Sequence, residues 1–183
     1  MREFRDAIQD IFISPTENFA AYLAALDPPK TCKILEHGLD VLSKKNSTDF
    51  PHLVLGAEPD RILRSIAGHP AKGQLRKGKL SIFVAIRRDV KSGGELTYES
   101  FNDARNAAEE LMVNVVMYLE SKFALIASSG FANMRYRDDE DNWLTMATQI
   151  CGVESVMGVL RFESEYEWQM NRIYKNITLS PRR

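Results

Sequence analysis

The chain has 183 residues, 44% of them hydrophobic and 27% charged, which fits one globular domain with enough apolar material for a filled core. Its formal net charge is −1, which argues against a uniformly basic nucleic-acid coat and leaves room for a local basic patch, while giving copies of the chain little mutual repulsion. No run of about 18 apolar residues occurs and the start, "MREFRDAIQD", lacks an apolar signal core, so the expectation is a cytoplasmic protein with no membrane contact, in which Asn176-Ile177-Thr178 is a chance sequon.

In chain order, Phe4, Ile8 and Ile11 or Phe12 at helical spacing predict a helix over 3–13. "SPTE" predicts a restart, with Ser14 as N-cap, Pro15 at the first helical position and Glu17 closing a capping box. That second helix carries Phe19, Tyr22, Leu23 and Leu26 and stops at Pro28-Pro29, which lack amide donors. A third helix is expected over 31–45, with a strand as the alternative because Gly38 interrupts it. "PHLVLGA" (51–57) reads as a buried strand. A long connection, 58–78, follows, with a helical turn at Ile62–Ile66 and a loop rich in glycine and lysine at its end. "KLSIFVAIRRDV" (79–90) is a second strand.

Ser100 and Asp103 cap a long helix over 99–126. Its apolar stripe is Phe101, Ala104, Ala108, Leu111, Met112, Val115, Leu119 and Phe123. "FANMRYR" (131–137) is a strand, and "WLTMATQIC" (143–151) leans toward one. The last strand, 156–168, contains "LRFESEYEW". Its period of two puts Leu160, Phe162, Ser164, Tyr166 and Trp168 on a dry side and Arg161, Glu163, Glu165 and Glu167 on a wet one. The order predicts an α+β domain: a mainly antiparallel sheet of about four strands, one long helix packed across it, and additional N-terminal helices. Residues 1–45 form a helical part, 51–168 the α+β core and 169–183 a tail.

Chemical motifs are weak. Gly73 to Lys79 mimics a phosphate loop, but Leu80 replaces the Ser or Thr that would hold magnesium, and a strand follows where a helix is needed. Asp60, Asp89 and Lys91 resemble the PD-(D/E)xK nuclease pattern, in which two aspartates hold magnesium and the lysine orients water; the plainer reading is a solvated strand end. His37, His52 and His69 lack metal-ligand spacing. "DDEDN" (138–142) lacks the glycine and the downstream glutamate of a calcium loop. Cys32 and Cys151 read as two buried reduced thiols. No metal or cofactor is expected.

The basic residues Lys72, Arg76, Lys77, Lys79, Arg87 and Arg88 crowd one region, and Glu163, Glu165 and Glu167 oppose them near the end of the chain. On neighbouring strands of one subunit these charges would pair across the sheet. Between subunits they would make a head-to-tail contact, with the glutamates facing arginines such as Arg87 and Arg88 of a neighbour, and such a contact closes into a ring when its rotation permits.

The stretch 51–168, with "PHLVLGA", a variable loop, "LSIFVAIRR", the helix "YESFNDARNAAEELMVNVVMYL" and "MGVLRFESEYEW", resembles the phage tail-terminator and head–tail completion (neck) proteins. The resemblance implies a sheet flanked by helices, assembly as a homo-oligomeric ring, commonly a hexamer, and partners in the tail tube and the connector. It implies a virion protein, assembled in the host cytoplasm, with no active site. The loop 68–79 would then project toward the lumen, where DNA or an acidic ring partner could meet it, and deleting 70–78 should spare the fold.

Overall fold

The computed structural model describes residues 3–35, 50–57, 61–65, 74–89, 94, 97–128, 130–136 and 143–168. Two long strands, β4 (Gln74–Arg87) and β7 (Val153–Trp168), pair antiparallel from Gln74 opposite Trp168 to Arg87 opposite Ser155. The outer edge of each is shared by two shorter strands. On β4 these are β2 (His52–Ala57) and β3 (Arg61–Ser65); on β7 they are β5 (Phe131–Tyr136) and β6 (Trp143–Ile150). β1 (Lys33–Leu35) adds beside β2 and is the parallel member of an otherwise antiparallel seven-stranded sheet. A two-residue turn joins β6 to β7, with Cys151 at φ 54° and Gly152 at φ 75°, the left-handed pair that suits the twist of a tight hairpin.

The helices cover one face of the sheet: α1 (Glu3–Phe12), α2 (Phe19–Ala24), α3 (Phe101–Ser121) and α4 (Phe123–Ser128). Ser100 and Asp103 cap α3 reciprocally, as their spacing predicts. Ala104, Ala108, Leu111, Met112, Val115 and Leu119 are buried beneath it. They meet Leu160, Phe162, Ile82 and Val84 in one core cluster that also takes in α1. Each large aliphatic side chain buried there contributes roughly 1.5–3 kcal/mol. The helix turns at Lys122, so the stripe ends early: Phe123 is exposed, and the buried aromatic is Tyr118. Tyr118 gathers Phe12, Phe19 and Tyr22 around its ring, and its hydroxyl lies 2.9 Å from the Ile11 carbonyl and 2.8 Å from that of Glu17.

Several expectations are corrected. The cap of α2 is Asn18, which accepts from the Ala21 amide at 2.8 Å, and Ser14 lies in the bend before it. Lys33–Leu35 is a strand, the alternative to the helix expected there; the remainder of 31–45, from 36 on, lies outside the described residues. Arg61–Ser65 is a strand paired with β4, not a helical turn. β4 begins at Gln74, so Arg76 and Lys77 belong to a strand rather than to the connection, and Lys79 is in the strand as expected. Cys32 is half-buried and Cys151 exposed, both reduced.

A charged ribbon as candidate functional site

Because opposed residues in an antiparallel pair share a face, the β4–β7 register sorts the candidate charges. Lys77 stands opposite Glu165, and Lys79 opposite Glu163, on the face away from the helices. Lys77 Nζ reaches diagonally to Glu163 Oε1 at 2.6 Å, the neighbour distance that long side chains span in a sheet. Glu163 is 8% exposed. The strand's "wet" glutamate therefore has its charge held within the subunit, and removing Lys77 would leave a largely desolvated carboxylate behind.

Arg76 is on the opposite, helix-covered face, across from Tyr166, and is buried. The basic residues are thus divided between two faces rather than gathered in one patch. Arg87 lies about 33 Å along β4 from Lys77 at strand spacing. It pairs with Asp89 at 2.5 Å and its guanidinium sits 5.0 Å from the centre of the Phe50 ring. Arg88 ties three segments together: its side chain bonds the Glu154 carboxylate, the Tyr98 carbonyl at 3.3 Å and the Glu99 carbonyl at 2.8 Å. These two arginines thereby brace the lead into α3 and the start of β7. They do not meet Glu163 or Glu165. Glu167 is in β7 opposite Leu75, with its side chain outside the described residues. Lys72 lies outside them too, as do Asp60, Lys91, His37, His69 and 138–142. Asp89, the described member of the nuclease-like trio, is held by Arg87, and its carbonyl accepts from Thr97.

Among the described residues no group of three His, Cys, Asp or Glu is placed to hold a metal, and no helix is long and apolar enough to cross a membrane. Two shallow hollows flank α3. One, about 200 Å³, lies by Tyr98, Ile86 and the Lys30–Glu110 ion pair of 2.7 Å; burial raises the Tyr98 hydroxyl above its ordinary range. The other, about 230 Å³, lies by Tyr22, Tyr118 and the Glu17–Lys122 pair. Lys122 holds the Glu17 carboxyl below its ordinary value by hydrogen bond and charge. Glu154 and Lys122 escaped the sequence reading because their partners are 66 and 105 positions away, with no local spacing to mark them.

No protein-family model matches the chain, and no curated protein matches it in sequence.

Proposed function

We propose that the protein is a structural virion component, a ring-forming tail terminator or head–tail joining subunit of a tailed phage. The observation that carries this reading is the plate itself: two strands of 14 and 16 residues paired along the whole of β4, with helices on one face. Long cross-paired strands make a stiff unit suited to repeated docking. The charges described on the plate brace it rather than converge on a reactive centre. In a ring, sheet faces and edges would meet neighbouring subunits, and the region around Lys72 and Lys79 would approach the tube, the connector or DNA.

Because 74–78 belong to β4, deleting 70–78 would cut into the plate; paired Lys72→Ala and Lys79→Ala substitutions are the gentler test of docking. Native mass spectrometry and electron microscopy should find closed rings of the 20.8 kDa subunit, alone or on partner rings, with no magnesium-dependent DNA cleavage. A monomer that never joins a partner ring, or cleavage lost in Asp89→Ala, would overturn the proposal.

A further inference from the structure

The hollow beside Tyr98 is assembled from distant parts of the chain. Lys30 comes from the segment after α2, Ile86 from the end of β4, Tyr98 from the lead into α3, and Glu110 and Leu111 from α3 itself. Arg88 fixes the lead through its bonds to the Tyr98 and Glu99 carbonyls. The tertiary fold creates this site, and no local spacing announces it.

Its chemistry is divided by depth. Ile86 and Leu111 are almost wholly buried and form an apolar floor. The Lys30 and Glu110 side chains are 25% and 58% exposed and meet at 2.7 Å, so a cation and an anion stand together nearer the solvent. Tyr98 is half-buried. Among the described residues its hydroxyl has no hydrogen-bond partner. Burial favours its protonated form, which can donate to a guest.

An apolar floor beneath one positive and one negative group matches a molecule that carries a carboxylate and an ammonium on one carbon and an apolar side chain below them. An ion pair this exposed contributes little to the fold, so its ends can part around such a guest. The Lys30 ammonium then takes the carboxylate of the guest, and the Glu110 carboxylate takes its ammonium. Charges alternate in sign along one line, and each keeps an opposite charge beside it. A guest with only one of the two charges would separate Lys30 from Glu110 and compensate only one of them. Size narrows the choice further. A dry cavity of about 150 Å³ accepts benzene, so a hollow of about 200 Å³ accepts a leucine-sized guest and is too small for tryptophan.

We infer that this hollow is a binding site for a free, leucine-sized apolar amino acid, held as its zwitterion between Lys30 and Glu110 over Ile86 and Leu111. The site goes beyond the ring reading and does not depend on it.

Methyl NMR of the full chain, titrated with leucine up to about 10 mM, should shift the Ile86 and Leu111 resonances. Isocaproate, which is leucine without the ammonium, and isopentylamine, which is leucine without the carboxylate, should each bind at least about tenfold more weakly. Tryptophan should leave both resonances in place. Glu110→Gln, at an exposed position, should bring leucine down to the level of isocaproate with unchanged circular dichroism, a loss of ligand preference that a merely structural role for Glu110 would not produce. Resonances that leucine leaves unmoved, isocaproate or isopentylamine binding as well as leucine, or a Glu110→Gln protein that still prefers leucine to isocaproate would each overturn the site.

Discussion

Gly158 and Gly78 hold the helices against the plate. A Cβ at Gly158 would stand 2.3 Å from Met112 Sδ, and one at Gly78 would stand 2.7 Å from Phe4 Cβ. Both neighbours are fully buried, so neither can swing into solvent. Gly158→Ala should therefore cost about 1–3 kcal/mol through forced repacking, read as a lower denaturation midpoint with an unchanged slope. Glu17 makes a different residue-level prediction. Its carboxyl ordinarily titrates at 4.5 and is depressed in the fold by Lys122. A depressed folded value adds stability that is fully present above 4.5 and fades as pH falls through the folded value. Glu17→Gln should accordingly narrow the stability difference between pH 6 and pH 3, measured by denaturant unfolding at each pH. An unaltered difference would show that the pair is too solvent-screened to matter.

At the scale of the element, α3 is the best-encoded segment. Ser100 accepts from the Asp103 amide at 3.1 Å, and the Asp103 carboxylate accepts from the Ser100 amide at 2.9 Å. Ser100→Ala should cost about 1 kcal/mol, seen as a drop in thermal midpoint that Ser100→Asn largely avoids. The stripe was legible because burial there repeats at helical spacing, and β7 because its alternation runs unbroken. The failures have physical causes. Ser14 looked like a cap, but the bend continues to Asn18, whose side chain bonds both the Ser14 carbonyl and the Ala21 amide. The stretch 74–78 reads as part of the connection because Lys77 and Gly78 have low strand propensity; pairing with β7 overrides that preference, and Gly78 admits Phe4. β3 has a different cause: it is only five residues long and is defined by its pairing with β4.

For the whole molecule, the α+β class and the helix across a mainly antiparallel sheet were legible, and the number of strands was not. Six of the seven strands share one sheet because β4 and β7 are long enough to take two outer neighbours apiece, and β1 adds beside β2; that length is not announced by the composition. The candidate site was half legible. The basic and acidic sets do lie side by side in Lys77, Lys79, Glu163 and Glu165, but Arg76 falls on the other face, and Arg87 and Arg88 serve the far end. A period of two assigns faces only once a strand's limits are known, and here the limit was five residues off.

The central ladder also dictates when the protein can become itself. Its closest rung joins positions 87 and 155, and its farthest joins 74 and 168. A contact map ruled by such distant pairs makes folding slow relative to helical proteins of this size. During synthesis β4 leaves the ribosome before α3 and β7, so Ile82, Val84 and Ile86 lack those neighbours until both have followed. Until then the nascent chain presents an apolar strand, and chaperone capture or prompt arrival of β7 decides whether it folds or aggregates.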